Sequence, residues 1–241
     1  MRNLDDEFAP NDWRRYNYDF DLTVRRALLE RWSKHFKLQG SSLEMGSFDG
    51  SMTELILDEL RSLDVIEGSA TLASLVEERF AGRVQVHNVW FEQFSPSNEY
   101  DNIFLVHALE HVENPAEVLR LAAGWLSDAG KLFVAVPNAN ALSRQIAVRM
   151  GVVPALQAVT EGEKLHGHLR TYNLDTLRRE ALDAGLRISE SGGVILKTLS
   201  NSQFDRAVAD EIVSGDYIRA CDELSLVWPD FSSSIFLVLS R

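Results

Sequence analysis

The chain has 241 residues, 45% of them hydrophobic, with 36 Asp and Glu against 24 Lys and Arg and a formal net charge of -12. That length suits a single domain with a full core, and the charge balance opposes broad contact with a nucleic-acid backbone, which depends on clustered cations. One cysteine, Cys221, excludes an intrachain disulfide, the acidic start has no apolar signal-peptide core, and no apolar run reaches the length of a membrane span. The expectation is a cytoplasmic protein with neither nucleic-acid nor membrane partners.

In chain order, the first 22 residues carry Trp13, Tyr16, Tyr18 and Phe20 and read as an arm or lid. Short runs rich in β-branched and aromatic residues follow at 42–45, 63–67, 84–89, 102–107 and 131–137. Between them "SMTELILDELRS", "ATLASLVEERF" and "PAEVLRLAAGWL" carry apolar residues at helical spacing. Strands alternating with helices of this length predict an α/β fold with a doubly wound, mostly parallel sheet. Asn114-Pro115 reads as a helix start, and Gly130 and Gly185 as helix stops. The segment 141–173 is expected as a lid insertion. Beyond Gly185 come a strand-like stretch with Gly192-Gly193, a helical stretch at 203–227 within a further cap at 200–230, and a final strand "SSIFLVLSR" that closes an antiparallel pair.

"SLEMGSFDGSMTELIL" passes from strand to helix through Gly46 and Gly50. Such a turn gathers backbone N–H groups and a helix dipole in one crevice, and glycine there lets a ligand approach the chain. The G-x-G-x-x-G dinucleotide fingerprint fails, because Phe48 stands at its second glycine. Glu67, ending the second strand, stands where an acid conventionally holds ribose hydroxyls. A nucleoside without a pyrophosphate fits this pattern.

These residues resemble the class I S-adenosylmethionine-dependent methyltransferases over about 40–140. "LEMGSFDG" is similar to that family's first motif, "VIEGS" to its ribose-binding segment, and "YDNIFLVHALEHVENPAEVL" to its fourth-strand signature. The resemblance implies a Rossmann-like sheet of seven strands with an antiparallel last hairpin and S-adenosylmethionine as cofactor. It places Glu44, Gly46, Ser47 and Gly50 around the methionine portion, and Glu67 with Gly68 and Ser69 at the ribose. Val89, Trp90 and Phe91 fall near adenine, with Asn88 at its edge, although Trp90 and Phe91 read equally as core packing. His107 would face the sulfonium and substrate.

Methyl transfer from a sulfonium is in-line displacement of a good leaving group, so positioning dominates and a base serves only acceptors that must lose a proton. The candidates are His107, His111, His166, His168 and Tyr172. A lone His166-x-His168 supplies two ligands, too few for a metal, and no metal is expected. Arg170 and Tyr172 read either as orienting a carboxylate or as part of a capped loop before a helix starting at Asn173. Asn138 and Asn140 read either as binding an amine or carboxylate or as a plain turn. Tyr16, Tyr18 and Phe20 read as an extended lid whose rings cover a sulfonium, or as packing for the arm.

The leading reading is methylation of a small metabolite or natural-product intermediate by a monomer or homodimer. Beyond residue 137 the chain also resembles azetidine-2-carboxylate synthases, which cyclise S-adenosylmethionine itself and release methylthioadenosine; Asn138, Tyr172 and the aromatic lid would then fold the amino-acid tail. The third reading is a binding protein that retains the cofactor site without turnover.

Overall fold

The computed structural model describes residues 4–7 and 18–241, so Trp13 and Tyr16 lie outside the described residues. Seven strands, β1 (Ser42–Met45), β2 (Leu63–Ile66), β3 (Val84–His87), β4 (Tyr100–Val106), β5 (Leu126–Pro137), β6 (Arg187–Val194) and β7 (Ser234–Ser240), form one sheet in the order β3-β2-β1-β4-β5-β7-β6. The first five pair in parallel, and β7 runs antiparallel to both β5 and β6. This is the expected Rossmann-like α/β architecture.

Nine described helices surround the sheet: α1 (Asp19–Trp32), α2 (Ser51–Glu59), α3 (Ala70–Arg79), α4 (Pro115–Trp125), α5 (Leu142–Arg149), α6 (Glu161–Leu165), α7 (Leu174–Asp183), α8 (Asn201–Ala209) and α9 (Gly215–Val227). Alternation along the central strands supplies both cores. Leu132, Val134 and Val136 of β5 point to one face, where α4 and α7 bury Val118, Trp125, Leu177 and Ala181. Phe133 and Ala135 point to the other, where α1, α2, α8 and α9 bury Trp32, Ile56, Phe204 and Cys221.

The punctuation is largely as read. Asn114 accepts a hydrogen bond from the Glu117 N–H at the start of α4, and Asn173 from the Thr176 N–H at the start of α7. Gly185 takes φ +80 just past α7, with its N–H donated to the Leu182 carbonyl at 2.9 Å. Gly130 differs: it lies inside β5, where an added Cβ would come 2.8 Å from the Tyr100 carbonyl oxygen, so close strand packing requires the glycine.

Two lid expectations change. Phe20 is in the first turn of α1, buried, with its ring 5.0 Å from that of Phe204. Asp205 pins that turn by accepting from the N–H groups of Asp19 and Phe20 at 3.1 and 2.9 Å, so the chain is helical from Asp19. The 200–230 stretch packs into the core through Phe204, Val213 and Cys221, although Asn201 reaches the cavity described below. The 141–173 segment contributes Arg144, Glu163, His166 and Tyr172 to the lining of that cavity and is braced by the Arg144–Glu163 ion pair at 2.7 Å.

Candidate active site

Strand order reverses between β1 and β4, and in open α/β sheets the crevice beyond the carboxyl ends at such a point is the ligand site. A cavity of about 970 Å³ lies there. Gly46, Glu67, Val89, His107 and Asn138, which follow β1 to β5 in turn, all line it.

Two turns are shaped by backbone conformations that side chains disfavour. Gly46 takes φ +84, and an added Cβ would lie 3.3 Å from the Ala108 Cβ. Phe48 and His107 hold positive φ, at 49° and 50°, despite their side chains; such strain persists where the surroundings over-determine it and clusters at functional sites. Glu67 holds the first turn. Its Oε2 accepts from the N–H groups of Ser47 and Phe48, both at 3.1 Å, and its Oε1 from the Ser69 N–H at 2.9 Å.

Tyr18, Gly46, Ser47, Glu67, Gly68, Trp90, Phe91, His107, Asn138, His166, His168, Arg170 and Tyr172 all reach the cavity wall. Four other candidates do not line it. Glu44 is buried beneath it, with Oε2 accepting from the Thr53 hydroxyl at 2.6 Å and Oε1 unpartnered. Gly50 caps α2 at φ +79, and an added Cβ would come 2.6 Å from the Phe80 ring, so packing explains the glycine there. Asn88 donates to the Glu67 carbonyl at 2.9 Å, and the Asn140 N–H donates to the Asn138 side-chain oxygen at 2.9 Å.

The polar groups differ in what they can still do. Asn138 gives its side-chain N–H groups to the carbonyls of Asp230 and Ser232, at 2.9 and 2.8 Å, so the amide fastens a loop. Burial first, then the electrostatic influence of Arg25 and His168, pushes His107 down to about 3. It is therefore a neutral imidazole, 3.0 Å from the Ser234 hydroxyl, and a weak base. Tyr172 is 3% exposed, with the Arg170 guanidinium as the polar neighbour of its hydroxyl; burial first, then the Glu180 charge, raises its pKa, which keeps the hydroxyl protonated. Glu110 is buried with neither oxygen partnered, and burial pushes it up to about 8.

Sequence reasoning missed Asp21, Arg25, Arg144, Glu163 and Lys197 on this wall. Lys197 is buried, donates to the Leu199 carbonyl at 2.6 Å and sits 4.4 Å above the Phe20 ring; burial pushes it down to about 8. Its signal was available as the lone cation in the apolar run "GGVILKTL".

Crevice, glycine turn and the acid just past β2 together match the class of S-adenosylmethionine-dependent methyltransferase folds. Residues 13–191 match the methyltransferase-domain family, and the chain belongs to it. A ubiquinone biosynthesis O-methyltransferase of Hydrogenovibrio crunogenus is 26% identical over 158 residues, 63% of this chain and 64% of that protein, so the match spans less than two thirds of this relative. Two solved structures share the fold. The N-methyltransferase NodS from Bradyrhizobium japonicum, in complex with S-adenosylhomocysteine, superposes with TM-score 0.61 at 15% identity over 98% of this chain and 95% of that one. An S-adenosylmethionine-dependent methyltransferase from Mesorhizobium loti gives TM-score 0.61 at 11% identity over 89% and 98%. Among the described residues no helix is long and apolar enough to cross a membrane.

The residues present fit S-adenosylmethionine. Gly46 leaves a bare backbone wall, Glu67 Oε1 has only one donor and keeps an acceptor position, and Glu44 Oε1 is an orphaned buried oxygen just below.

Proposed function

We propose that the chain binds S-adenosylmethionine across the ends of β1, β2 and β3 and directs its methyl group to a small-molecule acceptor on the histidine side of the same cavity. The observation that carries this reading is the size of the cavity: about 970 Å³ in one space extending from Glu67 to His166 and Tyr172. That is at the upper end of the roughly 300–1,000 Å³ range for small-molecule sites, which leaves room for an acceptor beside the cofactor.

The bound cofactor supplies an electrophilic methyl on a good leaving group, so the chain's work is positioning. Glu67 would hold a ribose hydroxyl, Gly46 and Ser47 would flank the methionine portion, and Val89, Trp90 and Phe91 would cover the base. Tyr18 would close the cavity from α1. Arg170 and the protonated Tyr172 hydroxyl would orient the acceptor, and His111, His166 and His168 are the imidazoles nearest to serve an acceptor that must lose a proton. The O-methyltransferase relative supports oxygen as the atom methylated.

Self-cyclisation is the second reading, favoured by the buried, protonated Tyr172 hydroxyl beside Asn138, to which Tyr172 is joined by a β-bridge. In it the α-amine nitrogen bonds to the γ-carbon as the carbon–sulfur bond breaks, methylthioadenosine leaves with the electron pair, and the amine proton passes to solvent.

Incubation with S-adenosylmethionine, with and without a panel of phenols, catechols and amines, distinguishes these readings by mass spectrometry. S-adenosylhomocysteine with a methylated acceptor supports methyl transfer. Methylthioadenosine with a four-membered cyclic amino acid, formed without acceptor, replaces it by cyclisation. Calorimetric binding with no turnover under any condition leaves a binding protein.

A further inference from the structure

We propose that Glu110, His111 and His168 bind one first-row divalent metal ion of the zinc or cobalt type in the wall of the cavity. One ligand atom from each comes together with all three within 4.8 Å of one another, and the Glu110 Oε1 to His111 Nε2 distance is 4.0 Å. Ligands bonded to zinc at about 2.0–2.2 Å stand roughly 3–4 Å apart, so a side-chain adjustment of about an ångström closes the set.

The independent observation is the carboxylate. Glu110 is 1% exposed, lines the cavity, and neither of its oxygens has a hydrogen-bond partner. A buried carboxyl group with no hydrogen bond to either oxygen is costly to ionise, and a coordinated cation offsets that cost. Two imidazoles and one carboxylate are a donor set for first-row ions that keeps coordination positions open.

The backbone already joins the two halves of the cluster. The Leu169 N–H donates to the Glu110 carbonyl at 2.9 Å, and the His168 N–H donates to the Glu163 carbonyl at 2.9 Å. Gly167, at φ +79, makes the turn that brings His168 in and leaves His166 outside the cluster. The expectation of no metal considered only His166-x-His168; the other two ligands come from the turn after β4. All three ligands line the cavity, so open positions on the ion would face an acceptor oxygen. The ion site stands on binding alone and does not rest on methyl transfer.

The test strips the full chain with chelator and titrates it with Co²⁺, following visible d–d absorption and calorimetric heat, then competes with Zn²⁺ and Mg²⁺. The expected result is saturation at one Co²⁺ per chain, displacement by Zn²⁺ and none by Mg²⁺, because imidazole ligands favour the later ions. His168→Ala and Glu110→Gln should each weaken Co²⁺ binding by about tenfold or more, while His166→Ala retains it. S-adenosylmethionine binding and thermal unfolding of each variant separate a lost ligand from a lost fold, and if one variant does not fold the other decides. Absence of saturable Co²⁺ binding in the parent chain, equal binding in all the proteins, or equally tight Mg²⁺ would overturn the site.

Discussion

Glu44 and Glu67 stand at the ends of adjacent strands but face different surroundings. Glu67 is held by three backbone donors and reaches the cavity, whereas Glu44 has the Thr53 hydroxyl on one oxygen and nothing on the other. Glu67→Ala should raise the S-adenosylmethionine Kd by about tenfold to a hundredfold, the value of a charge-assisted hydrogen bond, as read by calorimetry; an unchanged Kd would remove Glu67 from the cofactor site. Burial pushes Glu44 from 4.5 up to about 8. The folded chain then holds a proton that the unfolded chain releases, so the contribution of Glu44 to stability is full below pH 4.5 and is lost as pH rises through about 8. The slope from this residue is about 1.4 kcal/mol per pH unit inside that window. Urea unfolding of the cofactor-free chain at several pH values should show that fall, and Glu44→Gln should reduce the slope by the Glu44 share, leaving the share of Glu110, which burial also pushes up to about 8. A parallel fall in both proteins would mean that Glu44 is ionised in the fold.

Among the elements, the turn from β1 into α2 carries two glycines, Gly46 and Gly50, with different surroundings. Gly46 borders the cavity and Gly50 borders Phe80. Gly50→Ala should cost about 2–4 kcal/mol, from overpacking against Phe80 together with a left-handed backbone, visible as a lowered unfolding midpoint. An undiminished midpoint would show that the Phe80 ring yields freely. Both glycines were legible as a motif, but their separate roles were not, because spacing along the chain does not reveal which ring lies opposite. Phe20 illustrates the same limit: alternating aromatics suggested an extended strip, and anchoring by Asp205 and Phe204 holds Phe20 in the first turn of α1.

Across the whole molecule, the carboxyl edge of the sheet is closed partly by a loop from the far end of the chain. Asn138 ties that loop, through the carbonyls of Asp230 and Ser232, to the end of β5. Asn138→Ala should therefore lower stability by about 1–3 kcal/mol and turnover with it, measured by urea unfolding and product formation. Lost turnover at full stability would instead make Asn138 a direct contact of the reactants. Periodicity and punctuation were enough to place the strand segments, a mostly parallel sheet and an antiparallel close, since these depend on local pattern and on connections that a short chain segment can make, whereas the order β3-β2-β1-β4-β5-β7-β6 came only from the folded chain. The motif glycines and Glu67 were legible for the same reason. The gathering of Glu110 and His111 with His168, the placement of Lys197, and the anchoring of 200–230 through Phe204, Val213 and Cys221 depended on the folded chain. Those groups meet across long separations, and the shifted pKa values of Glu110 and Lys197 follow from desolvation, which arises only when the elements pack together.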